Sequence, residues 1–149
     1  NITREEYSDL LKTREFWELF TSKKILIYQE DSLIFKDNIN DFLKYDYVGA
    51  PWMNFQVGNG GCSLRTRQIM LKCIDINDSE FNKQLEDIFF CNTIKKYNLG
   101  TIPSFEEALE FGEEHVNSFK VPFCGHQFWR SGNTKLINIK NMEHFNYLK

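Results

Sequence analysis

The chain has no apolar run near the roughly 20 residues that a membrane-spanning helix requires, which excludes a span from this sequence. No Lys/Arg cluster stands out, and with a net charge of −3 and a pI near 5.7 the chain does not offer the basic face that nucleic acid needs. No CxxC pair is present: Cys62, Cys73, Cys91 and Cys124 are scattered, so buried free thiols are expected ahead of a Cys/His zinc site. Internal repeats, low-complexity linkers and a recognisable signal peptide are also missing. The expectation is a soluble protein of a reducing compartment, with the cytoplasm favoured.

What the sequence does have is apolar material. Of its 149 residues, 42% are hydrophobic and 15% aromatic, enough for a real core within one domain spanning 1–149. Thr3 and Glu6 form a capping box before a helix carrying Tyr7, Leu10, Leu11, Trp17 and Phe20, with a break expected near Thr13. The stretch KILIYQ (24–29) is a short apolar run without alternation, which predicts a strand buried on both faces of a mostly parallel sheet. Helices are expected over 37–43, 66–74 and 85–97, a short strand over 63–65, and a further helix after the Ser104/Glu107 capping box. Residues 113–129 read as a strand or extended segment ending in a Gly-His loop. The class is α/β.

Four places could carry chemistry. Gln29, Glu30, Asp31 and Ser32 follow the 24–29 strand at its carboxyl end, where open α/β sheets put ligands. A carboxylate there either begins a turn and caps the next segment or holds a hard cation such as Mg2+ or Mn2+. In GAPW and VGNGG (49–52 and 57–61), Gly58, Gly60 and Gly61 permit tight turns and close approach to the main chain. Trp52 adds a flat surface suited to a sugar ring. This is not a P-loop, since the Gly-Lys-Ser/Thr ending is absent. Glu86 and Asp87 precede the apolar Ile88-Phe89-Phe90 run, so either they complement the helix macrodipole or partial burial raises one pKa and suits it to general-base work. His126, in GHQFW, could ligate a metal through a neutral imidazole, whereas His115 and His144 read as surface residues. Arg65, Arg67 and Arg130 could each meet a phosphate, but solvated surface roles are expected for them one by one.

Read in order, FWELF, ILIYQEDS, DFLKYDYVGAPW, VGNGGCSLR, LEDIFF, PSFEEALEFGEE and GHQFW resemble a glycosyltransferase-related family of domains without an assigned function. The resemblance spans Glu15 to Trp129. It implies a GT-A-like fold: a mixed central sheet flanked by helices, in which an Asp-x-Asp motif after a central strand binds Mn2+ or Mg2+ and the diphosphate of a nucleotide sugar. In this chain QED stands in that place. Asp31 matches the last acidic position, Gln29 replaces the first, and the metal is then held more weakly or differently. His126 is similar to the late His that completes such sites.

The implied activity is metal-dependent transfer of a sugar from a nucleotide donor, UDP-sugar favoured, to a hydroxyl of a glycan or protein acceptor. Asp87, or Glu86, would be the base. Asp31 and His126 would be the metal ligands, and Gln29, Ser32, Gly60, Gly61 and Trp52 would line the donor or acceptor pocket. Relatives of this kind carry a nucleotide-binding βαβ half before the Asp-containing strand, so the chain is expected to be a C-terminal part of a longer domain or a reduced form that binds no nucleotide. The alternatives in function are a catalytically inactive module binding glycan or protein, and a metal-dependent hydrolase.

Overall fold

A computed structural model describes residues 2–54 and 56–136. The first helix, α1 (Arg4–Leu11), starts at the predicted capping box: Thr3 Oγ1 accepts from the Glu6 amide at 3.1 Å, and Glu6 Oε2 accepts from the Thr3 amide at 2.7 Å. The break falls at Thr13. Its hydroxyl donates to the Leu10 carbonyl at 2.7 Å and accepts from the Phe16 amide at 3.3 Å, ending one helix and capping α2 (Arg14–Glu18). Trp17 is fully buried, and its indole N–H is satisfied by the Leu11 carbonyl at 2.7 Å.

Two small sheets replace the single mixed central sheet expected from the sequence. In the first, β1 (Lys24–Tyr28) runs antiparallel to β4 (Cys62–Thr66), and β3 (Tyr47–Gly49) pairs antiparallel with the other side of β4. In the second, β6 (Cys124–His126) lies between β2 (Ser32–Ile34), antiparallel to it, and β5 (Gly112–Glu113), parallel to it. The expected parallel setting of 24–29 is therefore corrected. Its lack of alternation has another cause: Ile25 and Ile27 pack into a core beneath the helices, while Leu26 packs on the opposite side against a second core. Apolar residues on both faces do not by themselves set strand direction.

The central strand β4 divides these cores. Leu64 and Cys62 join Phe42, Tyr45, Val48, Phe111, Phe123 and Cys124 in one of them. The other is built from α1, α2, α3 (Arg67–Ile76) and α4 (Glu86–Tyr97), with Leu11, Trp17, Met70, Phe89, Phe90 and Ile94 at its centre. Both α3 and α4 stop at an asparagine in the left-handed region, Asn77 and Asn98, each with φ 50°. The last helix, α5 (Phe105–Phe111), has the predicted Ser104/Glu107 capping box. The 37–43 segment contributes a 3-10 turn over Ile39–Phe42, and β5, β6 and a 3-10 turn at Phe128–Arg130 occupy the stretch read as extended. His126 is thus in a strand, not a loop. Among the described residues, no helix is long and apolar enough to cross a membrane.

The chain passes from the first sheet to the second at Gln29–Asp31, a tight turn in which the Ser32 amide donates to the Gln29 carbonyl at 3.0 Å. The Gln29 amide donates to the Gly61 carbonyl at 2.9 Å, and the Gln127 amide donates to the Asp31 carbonyl at 3.1 Å. Three segments far apart in sequence are laced together at that corner.

Candidate functional site

A cavity of about 510 Å³ opens at this corner, and Gln29, Trp52, Gly60, Gly61, Asp87 and His126 all line it. The structure therefore brings together all four places singled out from the sequence. Glu86 also lines the cavity, whereas Asp31 and Ser32 are not among the lining residues but touch them, Asp31 Oδ1 lying 3.1 Å from His126 Nε2. Ser32 is buried, and its hydroxyl donates to the Gly61 carbonyl at 3.1 Å, so it fixes the loop instead of facing a ligand.

The floor is an ion pair. Arg65, expected at the surface, is fully buried because β4 turns it toward the helical core, where it lies over the Tyr47 ring at 4.7 Å and near those of Trp17 and Phe90. Its guanidinium binds Glu86 through two nitrogens, Nη1 to Oε2 and Nη2 to Oε1 at 3.0 Å, and its Nε donates to Ser63 Oγ at 2.9 Å. A charge in such a place needs a partner, and Glu86 is it. Arg67 is half-buried and donates to the Trp17 carbonyl at 2.8 Å. Arg130 is exposed, as expected, at the cavity rim.

Asp87 differs from its neighbour. It begins α4 beside Glu86, its Oδ1 accepting from the Ile88 amide at 2.8 Å and its Oδ2 from the Gly60 amide at 3.3 Å. Burial, and next the charge of Glu86, raise its pKa above the ordinary aspartate value. The result is a carboxylate inside the cavity with a raised proton affinity and, among the described residues, no ion-pair partner.

The glycine pair explains itself sterically. A Cβ on Gly61 would overlap the His126 ring, and one on Gly60 would overlap Glu86 Oε1. The close approach is by the protein's own side chains as well as by the space a ligand would enter. Asn59 stiffens the loop: its Oδ1 accepts from the Gly61 amide at 3.0 Å and its Nδ2 donates to Glu114 Oε2.

His126 is 9% exposed, and among the described residues neither ring nitrogen makes a well-aligned hydrogen bond. Carboxylates flank both: Asp31 Oδ1 is 3.1 Å from Nε2, and Glu114 Oε1 is 3.6 Å from Nδ1. Two donor atoms on adjacent vertices of an octahedral Mg2+ or Mn2+ site lie about 3.0 Å apart, given bonds of about 2.1 Å. The Asp31/His126 pair fits that edge, with Glu114 placed as the outer carboxylate that commonly orients a ligating histidine. Among the described residues, no group of three or more His, Cys, Asp or Glu side chains is gathered to hold a metal.

Glu114, Gln127, Tyr7 and Arg4 complete the cavity without having been picked out in the sequence. Glu114 stands in the charged run GEEH, directly after β5, and is buried there. His115 next to it is exposed as predicted yet reaches the rim, with Nε2 3.3 Å from Glu114 Oε1. His144 lies outside the described residues. The four cysteines are free and buried, as expected.

The family described as Protein of unknown function (DUF5672) matches residues 2–126. The chain belongs to this family. The match takes in Asp31, Gly60, Gly61, Asp87, Glu114 and His126, and ends just before Gln127, so most of this DUF5672 cavity is built from the shared region. No curated protein and no solved structure matches the chain.

Proposed function

We propose that the cavity is the active site of a GT-A-like, metal-dependent glycosyltransferase that moves a sugar from a nucleotide donor, UDP-sugar favoured, to a glycan or protein hydroxyl. The observation that carries this reading is the buried His126 with Nε2 3.1 Å from Asp31 Oδ1, in the same cavity as a carboxylate of raised pKa. Asp31 and His126 would hold Mn2+ or Mg2+. Such a cation supplies charge stabilisation to a departing diphosphate.

This chain's own residues have the remaining tasks. Asp87 accepts the proton of the acceptor hydroxyl as its oxygen bonds to the anomeric carbon and the bond from that carbon to the donor phosphate breaks, an inverting displacement. The Gly60 amide, 3.3 Å from Asp87 Oδ2, keeps the carboxylate turned into the cavity. Glu86 is committed to Arg65 and positions the helix start, which favours Asp87 over Glu86 as the base. Trp52 offers a face on which a sugar ring stacks, and Gln29 lines the same cavity. Arg4 and Arg130, both exposed at the rim, have no ion-pair partner among the described residues and are available to donor phosphates. The four free, buried thiols favour a reducing compartment such as the cytoplasm.

Thermal unfolding with UDP-sugars, with and without Mn2+, tests the reading. Donor at 100 times its Kd should stabilise the protein by about 2.7 kcal/mol, in a metal-dependent way that Asp31→Ala abolishes. Absence of stabilisation by any donor and metal combination would remove it. A second reading, an inactive module that binds glycan or protein, is favoured by one observation: Gln29 stands where a metal-binding carboxylate is expected. In that case glycan or protein binding persists in Asp31→Ala and in chelator.

A further inference from the structure

Gln127 has a left-handed backbone, φ 45° and ψ 33°, a conformation uncommon for a residue with a side chain other than Asn, Asp or Gly. It ends β6 directly after His126, whose strand partner across β2 is Ser32. The turn this creates lets one residue grip Asp31 at both ends. The Gln127 amide donates to the Asp31 carbonyl at 3.1 Å, and its Nε2 donates to Asp31 Oδ2 at 2.6 Å. The amide orientation follows from charge, since the opposite placement would set a carbonyl oxygen against a carboxylate. Its other side-chain atom, Oε1, is buried without a hydrogen-bond partner among the described residues, and the residue lines the cavity.

The two halves of that side chain have separate consequences. Holding Oδ2 leaves Oδ1 as the Asp31 atom facing His126 Nε2 at 3.1 Å, so the carboxylate offers a cation one oxygen at a defined angle. An unsatisfied buried acceptor, in turn, costs free energy until a donor arrives. The donors a cavity ligand brings are hydroxyls and metal-bound waters.

We propose that Gln127 is a positioning residue for a divalent cation on Asp31 and His126. Its N–H fixes the Asp31 carboxylate as a single-oxygen ligand, and its Oε1 accepts from a water or hydroxyl that enters with the cation. This rests on the metal-site reading given above. Outer partners of metal ligands change metal affinity about 10- to 100-fold when removed, which sets the size of effect to look for.

The test is Mn2+ binding to the full chain, followed by the loss of the free-ion electron paramagnetic resonance signal, together with thermal unfolding of each metal-free protein. Wild type, Asp31→Ala, Gln127→Met and Gln127→Asn are compared. Gln127→Met keeps the length but removes donor and acceptor; Gln127→Asn tolerates the left-handed backbone but falls one methylene short, and it decides the matter if the Met variant does not fold. The expected result is an Mn2+ Kd raised about tenfold or more in the Gln127 variants, abolished binding in Asp31→Ala, and an unfolding temperature of metal-free Gln127→Asn close to wild type. If Asp31→Ala loses Mn2+ and a folded Gln127 variant retains wild-type affinity, the Gln127 role is overturned while the metal site stands. If wild type binds no Mn2+, or Asp31→Ala binds it as wild type does, the metal site fails and this role fails with it.

Discussion

Arg65 and Glu86 form a two-point ion pair with both side chains out of water, directly beneath Gly60. Removing one partner strands the other charge in the core, which costs about 3–5 kcal/mol. Glu86→Gln and Arg65→Met are both expected to lose stability on that scale in urea unfolding. A Glu86→Gln protein that unfolds like wild type but has no turnover would reassign Glu86 as the base.

Asp87 is expected to behave in the opposite way. Its folded-state pKa is raised, chiefly by burial, so the unfolded chain ionises first as pH rises, and stability is lost as pH climbs through the folded value. Asp87→Asn should therefore match wild type at pH near 3 and equal or exceed it in unfolding temperature at pH 7. Turnover should fall about 10²- to 10⁴-fold in the same variant. For wild type, kcat/KM against pH should show an acid limb whose midpoint lies above the ordinary aspartate value. A limb at or below that value would point to a different base.

Gly61→Ala tests the packing of the glycine loop on the imidazole. The new methyl would overlap the His126 ring, and both groups sit on paired strands or at their ends, so neither can yield freely. A loss of about 1–3 kcal/mol is expected, together with weakened Mn2+ binding as the ring is pushed from Asp31. Unchanged stability and metal affinity would mean that the loop relaxes away from the ring.

The helices were legible because their signals are local. Thr3/Glu6, Thr13 and Ser104/Glu107 announce their caps within four residues, and the apolar residues of α3 and α4 repeat at helical spacing. Strand partners were not legible, since nothing in KILIYQ states that it pairs antiparallel with CSLRT some 40 positions later. The same limit governs the site. Asp31, Asp87, Gly60, Gly61 and His126 could be named from motif context, but Glu114 and Gln127 matter only through what tertiary structure sets beside them, His126 for one and Asp31 for the other. Arg65 was misplaced for a related reason: its burial depends on a partner 21 positions away and on three aromatic rings that the fold assembles around it.

Arg4 and Arg130 come from the two ends of the described chain and meet at the same cavity, above a floor whose own arginine is already neutralised by Glu86. If they receive the donor phosphates, Arg4→Ala and Arg130→Ala should each raise KM for the nucleotide sugar about three- to tenfold with little change in kcat, since exposed charge contacts contribute on the order of 1 kcal/mol. The effect should shrink at 0.5 M salt, where charges are screened over a few ångströms. An uncharged acceptor sugar should show no change in KM in either variant. Should the acceptor KM rise instead while that for the donor stays fixed, the arginines belong to an acidic acceptor, and the donor phosphates must lie on the Asp31 side of the cavity.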